Sequence, residues 1–292
     1  MIAPWDGDRI NLKIATWNLA RVLPKQATRT AKIVGWLDCV DADVWVLTET
    51  HDSVSPGPGY SAASTGYPDR PGEPGERWTT IWSRLPIEPL PPTRDPARTV
   101  AALVQPPHGA PLVVYGTVLP WLGSPWRDFP ADDGMAFRAA LAAQLADWIA
   151  LVRQFPGGDL CVLGDLNQDL SRRDYYGSRA NRTALLDALR TVGLSALTAD
   201  PTDPVRAVVR DRASIDHICV PARVVQRGSA RLEVWPSGAA PDRRLSDHYG
   251  VAADLGSRRP VSPDEPEVPL AARHTPNASG RRQTEARAGQ PR

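Results

Sequence analysis

Apolar residues fall along this chain in short runs, with a few stretches of helical period between them. Residues 12–18 and 43–49 are such runs, and between them Ile33, Trp36, Leu37 and Val40 recur at i, i+3, i+4 and i+7, the repeat of one helix face. The first fifty residues therefore read as strand, helix, strand. From Ser53 to Glu76 the density of Pro and Gly (Pro56, Gly57, Pro58, Gly59, Pro71, Gly72, Pro74, Gly75) predicts loop alone. Strands are expected at 78–83, 99–105 and 112–118, then a loop from Pro120 to Asp133. The next helix places Phe137, Leu141, Leu145, Trp148 and Val152 on one face, with Asp132 or Asp133 as its cap. A buried strand at 159–164 and a polar, basic loop at 168–180 precede a third helix. That helix carries Leu185, Leu189 and Val192 and is closed by Gly193. Strands near 215–220, 231–235 and 249–254 complete the pattern. Strands outnumber helices roughly two to one, which predicts an α/β body with mixed sheets. No internal repeat is visible.

Composition changes this picture at one place. From residue 257 the chain turns to Pro, Arg, Ala, Ser and Glu with almost no large apolar residue, so 1–256 is expected to be the folded domain and 257–292 a disordered Pro/Arg-rich tail. The division also corrects the charge. The whole chain carries a net +1, but the tail holds seven Arg and four acids, leaving 27 basic against 29 acidic residues, about −2, in the body. A slightly acidic body lacks the basic excess of a general DNA-binding surface, although local basic loops remain available. Cys39, Cys161 and Cys219 lie in apolar segments without metal-ligand spacing, as free thiols in a reducing compartment would. No secretory signal opens the chain, and no apolar run approaches the ~20 residues that span a bilayer. A cytoplasmic monomer with no membrane span is expected.

The chemistry lies where the apolar runs end. Asn18 closes Ile14–Asn18, Glu49 closes Val44–Glu49, and Asp165 and Asn167 follow Leu160–Gly164. Asp216 sits in Ser214-Ile215-Asp216-His217, and Asp247-His248 follows Leu245-Ser246. A buried strand that ends on a carboxylate or amide incurs a desolvation cost unless something pairs with that group. Five such endings point to strand tips meeting at one polar floor. Carboxylates, amides and an imidazole together suit a hard cation and a phosphate.

These residues, taken in order, resemble the endonuclease/exonuclease/phosphatase superfamily, over residues 12–255. The motifs are Trp17-Asn18, Thr48-Glu49, Gly164-Asp165-Leu166-Asn167, Ile215-Asp216-His217-Ile218 and Ser246-Asp247-His248. The resemblance implies a four-layer sandwich of two mixed β-sheets flanked by helices, and metal-dependent hydrolysis of a phosphoester. It implies Mg²⁺ or Mn²⁺ held by Asn18, Glu49 and Asp247. It gives Asp165 the activation of water, and Asn167 the placing of nucleophile and phosphate. It gives His248 a phosphate hydrogen bond, and Asp216 the holding of that ring. The physics of the residues agrees: a cation offsets the charge of an anionic diester, and an Asp–His pair favours the protonated ring. His217, beside Asp216, is the alternative imidazole, and His51 is a further candidate ligand.

Two positions depart from the family pattern. Ala20 stands where many nucleases carry an acid. Thr117 stands where several relatives place a phosphate-contacting Tyr or His after the strand at 112–118. The flanking loops carry Trp121, Trp126, Tyr175, Tyr176, Arg127, Arg172, Arg173 and Arg179, either as a platform for bases and phosphates or as rim packing. The substrate is expected to be a nucleic acid, DNA or RNA. The alternatives are a nucleotide, lipid or inositol phosphate, or a non-catalytic binding member of the fold.

Overall fold

In β1 (Lys13–Asn18) side chains alternate between two apolar layers, as the pleat requires. Ile14 enters one cluster, while Ala15 and Trp17 enter another with Ile33 and Leu37 of α1 (Ala27–Val40). The computed structural model describes residues 12–255 apart from 108, 132–133, 172–174, 229 and 236–244. The chain divides into Met1–Arg258 and Arg259–Arg292. The expected tail, Arg172, Arg173 and the capping candidates Asp132 and Asp133 all lie outside the described residues.

β2 (Val44–His51) runs parallel to β1 after α1, while β4 (Glu76–Ser83) and β12 (Gly250–Asp254) pair antiparallel on either side. β3 (Ser61–Ser64) and β11 (Arg231–Trp235) are the edges, giving the order β11-β12-β1-β2-β4-β3. The second sheet is built the same way. β7 (Leu112–Val118) and β8 (Asp159–Asp165) are the parallel pair, joined through α2 (Met135–Gln154). β6 (Thr99–Val104) and β10 (Asp216–Pro221) flank that pair, with β5 (Ile87–Pro89) and β9 (Leu194–Ala196) at the edges, in the order β5-β6-β7-β8-β10-β9. Both sheets thus follow one plan around a β-α-β unit, a repeat of topology that the sequence does not display.

The sheets face each other through Ile14, Val44, Val46, Ile81, Val114, Leu163, Ile218 and Val251. Gly116 marks how closely they approach, since a Cβ there would lie 2.7 Å from Thr79 Cγ2 and 3.1 Å from Val46 Cγ1. α2 and α3 (Arg179–Thr191) cover the second sheet with Phe137, Leu141, Trp148, Leu185 and Leu189, and α1 covers the first. Two further short helices, α4 (Pro204–Val208) and α5 (Ala222–Arg227), join strands of the second half. The architecture is the expected four-layer sandwich.

Local expectations needed two corrections. β3 lies inside the stretch read as loop, because its small residues Ser61-Ala62-Ala63-Ser64 pair at an edge with little apolar signal. In α2 the buried face runs through Phe137, Leu141, Gln144, Trp148 and Leu151, while Val152 is exposed. Steps alternating between three and four residues follow the 3.6-residue turn better than the spacing ending at Val152. α2 is long and apolar enough by mean composition to cross a membrane, with a window of mean hydropathy 1.4, although Arg138, Asp147 and Arg153 interrupt its apolar run. Its large apolar side chains instead pack on the second sheet.

Candidate active site

The parallel strands β1, β2 and β8 end at the same edge, and carboxyl ends of such strands are where open α/β sheets place ligands. Asn18 and Glu49 come from one sheet, Asp165 and Asn167 from the other, and Asp216 lies opposite Asp165 in the β8–β10 register. Asn18 Nδ2 crosses between the sheets, donating to Glu49 Oε1 (3.1 Å) and Asp165 Oδ2 (3.0 Å), while its Oδ1 accepts the Ala20 N–H (2.8 Å). Asn18 was expected to offer oxygen to the cation. In this orientation its oxygen is engaged by backbone, and its amide nitrogen holds two carboxylates in place. The reverse orientation would turn oxygen toward both carboxylates.

Asp165 is buried. The Asn167 N–H reaches its Oδ1 (2.9 Å), and Asn167 Nδ2 reaches both its Oδ2 (2.9 Å) and Leu119 O (2.9 Å). Asn167 has thereby committed both amide hydrogens to positioning Asp165 and tying it to the end of β7. Burial pushes the Asp165 carboxyl up to about 7; nearby His248 opposes this, and Asp216 and Glu49 add to it.

His248 Nδ1 lies 2.6 Å from Asp216 Oδ2. Burial alone would lower its pKa, but Asp216, then Asp165 and Asp247, outweigh burial and lift the imidazole to about 10. The ring is therefore a cation at neutral pH, with Nε2 4.0 Å from Asp247 Oδ1. Ser246 Oγ donates to Asn18 O (2.6 Å) and accepts the His248 N–H (3.0 Å), so the serine of Ser-Asp-His joins two parts of the site. The alternative imidazole, His217, is buried between Thr198 Oγ1 (2.7 Å) and Gln168 O (2.8 Å), and burial lowers its pKa. His51 accepts the Ser53 N–H at Nδ1 (3.0 Å), which leaves Nε2–H to donate to Pro74 O (2.9 Å); both its nitrogens hold a loop.

Two supports escaped the sequence reading. A Cβ on Gly164, whose φ is +137°, would lie 2.0 Å from Thr117 O, so the Gly before Asp165 is required by the neighbouring strand. Arg29 on α1 donates to Leu245 O (2.7 Å), Ala20 O (3.1 Å) and Leu19 O, clamping the loop after β1 to the segment before Asp247. Nothing local in the sequence marks Arg29, whereas Gly164 lies within a quoted motif. Thr117 requires a correction: its hydroxyl is buried against Gln144 Oε1 of α2 (2.9 Å), on the helix side of the sheet. Strand alternation puts Val118 on the opposite side.

The donor set fits a hard divalent cation. Glu49 and Asp247 offer carboxylate oxygens, and the second oxygen of Glu49 carries no hydrogen bond among the described residues. Glu49 also holds a left-handed φ of 45° inside a strand, a conformation costing about 1–3 kcal/mol that surrounding structure must enforce. Asp165, Asp216 and His248 form a second cluster, with ligand atoms all within 4.8 Å. There the protonated imidazole already offsets the charge of Asp216, its hydrogen-bond partner. Along the flank, Trp126 is buried, with Nε1 on Asp95 Oδ2 (2.8 Å), whereas Trp121, Leu122 and Phe129 are exposed.

The fold has solved counterparts. The AP endonuclease LMAP from Leishmania major superposes with a TM-score of 0.59 at 14% identity, covering 86% of this chain and 92% of its own. The endonuclease domain of TRAS1, a telomere-specific non-LTR retrotransposon, gives 0.55 at 17%, with 85% and 99% covered. The catalytic domain of human Nocturnin gives 0.55 at 16%, with 84% and 93% covered. At such identities the likeness is one of fold. No curated protein sequence matches. Residues 15–248, however, match the sequence pattern of the Endonuclease/Exonuclease/phosphatase family from within the first apolar run to the histidine held by Asp216, and the chain belongs to that family.

Proposed function

We propose that this protein hydrolyses phosphodiester bonds of nucleic acid with Mg²⁺ or Mn²⁺ bound by Glu49 and Asp247. The observation that carries this reading is the opposed pair of Asp165, a carboxyl raised to about 7, and His248, an imidazole raised to about 10, held at one strand edge by Asn18, Asn167 and Asp216. When bound, the cation offsets phosphate charge and polarises the P–O bonds. Ionised Asp165 accepts a proton from water as the water oxygen bonds to phosphorus. His248 donates through Nε2–H to a non-bridging oxygen whose charge grows in the transition state, while Asp216 keeps the ring oriented and protonated. The bond to the leaving oxygen breaks on the far side of phosphorus, and that oxygen takes a proton from solvent, which reaches the site past exposed Asp247.

Nucleic acid is favoured by the flank. Arg98 lies 5.1 Å from the Trp78 ring and 5.9 Å from that of exposed Trp121, Arg70 lies 4.6 Å from Trp78, and Phe129 stacks on Trp126. Exposed rings backed by guanidinium groups suit base stacking. A small phosphoester is the second reading, because Arg70, Arg77 and Arg98 are each tied to a carboxylate. The three free cysteines are consistent with a reducing, cytoplasmic setting.

The test compares the parent with Asp165→Ala, with Mg²⁺ or Mn²⁺, on a diester reporter, DNA, RNA and a panel of phosphomonoesters. Turnover of diesters by the parent and its loss in the variant are expected. Absence of turnover on every substrate, or equal rates in the two proteins, would sink the reading.

A further inference from the structure

The first turn of α3 carries a buried amide that the chemistry above does not use. Asn181 is only 2% exposed. Its N–H donates to the capping Ser178 Oγ (3.1 Å), and its Oδ1 accepts from Arg138 Nη1 of α2 (2.9 Å). An arginine offers donors alone, so this bond also fixes which end of the amide is nitrogen. The amide packs against Gly134, where φ is +68° and a Cβ would lie 2.5 Å from Oδ1 and 2.6 Å from Nδ2. The side chain is thus held on several sides, yet its Nδ2 carries no hydrogen bond among the described residues. A buried donor left unmatched carries a desolvation cost that a bound acceptor removes.

Asn181 lines a cleft with Pro120, Trp121, Leu122, Phe137 and Asn167. Asn167 is the residue whose amide holds Asp165, so an occupant of this cleft adjoins the reacting phosphate. Much of the remaining wall is apolar, and it includes the exposed ring of Trp121. The loop that carries this wall is held in place. Asn167 Nδ2 ties its start at Leu119 O (2.9 Å), and the Ser124 N–H closes a turn on Trp121 O (3.0 Å). Farther along, Trp126 Nε1 donates to buried Asp95 Oδ2 (2.8 Å), and Trp126 and Phe129 exchange two backbone hydrogen bonds (3.0 and 2.9 Å). Among the described residues no Lys or Arg lines the cleft, so a second phosphate finds no cation there. Apolar walls, an aromatic face and a fixed donor suit a flat ring that bears an acceptor.

We propose that this cleft seats a nucleobase beside the scissile phosphate, its ring against Trp121 and a carbonyl oxygen or ring nitrogen accepting from Asn181 Nδ2. The inference rests on the phosphodiesterase reading and deepens it: the preferred substrates are diesters that carry a base on the Asn167 side of the reacting phosphorus. Every base offers such an acceptor, so the cleft requires a base without dictating a sequence. Asn181 is in this account a specificity residue, which touches the base and takes no part in the bond changes at phosphorus.

The experiment compares the parent with Asn181→Asp, which keeps an oxygen for Arg138 and replaces the free NH₂ with a group that donates nothing. With Mg²⁺, kcat/KM is measured on a dithymidine diester and on its two counterparts that each lack one base. In the parent, removal of one of the two bases is expected to lower kcat/KM about tenfold or more, as loss of a stacked base does. Asn181→Asp is expected to lose about tenfold on the full diester, through one hydrogen bond, and to match the parent on the counterpart without that base. Equal parental rates on all three diesters would overturn the proposal, as would a variant that loses equally on all three, which marks a structural role. A second measurement needs no turnover. By calorimetry the parent should bind thymidine monophosphate about tenfold more tightly than deoxyribose phosphate, and Asn181→Asp should lose that margin. Equal affinity of the parent for the two ligands would overturn the proposal even if the variant failed to fold. Should the parent hydrolyse no phosphoester, the function reading fails by itself, and the calorimetric comparison decides this proposal separately.

Discussion

Asp165 must be anionic to accept a proton, yet burial beside Asp216 and Glu49 opposes its charge and raises it to about 7. His248 must be cationic, and Asp216 keeps it so up to about 10. Activity should therefore rise with pH as Asp165 ionises, at about 7 without a cation and lower with one bound, and fall at alkaline pH as His248 loses its proton, which a kcat/KM profile from pH 4 to 11 measures; a flat profile would contradict the assignment. Asp216→Asn removes the largest influence raising His248, so its alkaline limb should move to lower pH. The sign for stability is definite as well. His248 has a folded pKa above its ordinary value, so its contribution is complete below about 6.5 and is lost as pH rises through about 10. Asp165 also binds its proton more tightly when folded, so its ionisation, from the ordinary carboxylate range up through about 7, progressively destabilises the fold. A cation at Glu49 and Asp247 would favour ionised Asp165. Mg²⁺ or Mn²⁺ at ~100 times its Kd should stabilise by ~2.7 kcal/mol, a melting shift of roughly 5–10 °C. Glu49→Gln should abolish that shift in a thermal melt, and an equal shift in both proteins would place the cation elsewhere.

Strand ends carry these groups, and their neighbours dictate which residues are allowed there. Gly164→Ala should cost at least about 3 kcal/mol, since the position needs a left-handed φ and the new Cβ meets the Thr117 carbonyl. Denaturant unfolding would detect the loss, and a parental midpoint would contradict the contact. The sequence shows that a strand ends at Gly164-Asp165, because an apolar run stops there. It does not show why Gly precedes Asp, because the obstructing atom belongs to a strand some 47 residues earlier, paired through the Thr117–Gly164 register. The same distinction separates His248 from His217. Both stand beside an Asp in sequence, and only packing turns His217 between Thr198 and Gln168 while His248 meets Asp216.

At the scale of the molecule, the site exists only because two sheets of the same plan pack face to face, with Asn18 of one bonded to Asp165 of the other. Substrate choice belongs to this scale too, since the exposed rings of Trp121 and Phe129 come from a loop beside the cleft. If nucleic acid is the substrate, Trp121→Ala should weaken binding of a single-stranded oligonucleotide by roughly 1–3 kcal/mol, as the loss of one stacking platform does, and leave turnover of a small diester reporter unchanged. Fluorescence anisotropy and the reporter assay measure the two effects. Equal affinity for the oligonucleotide would favour the small-phosphoester reading.

The sequence by itself determined the longer strands and the three main helices of the body, in order, and the residue types that gather at the site. Apolar period and run length are local properties, and carboxylates at strand ends are visible wherever they occur. Tertiary structure decided the rest. It turned Asn18 into a bridge between carboxylates, moved Thr117 to the helix side and found an edge strand in Ser61–Ser64. Each of these depends on the direction of a side chain or on a partner dozens of residues away. Such partners are brought near only when the two sheets close over the core that Gly116 allows them to share.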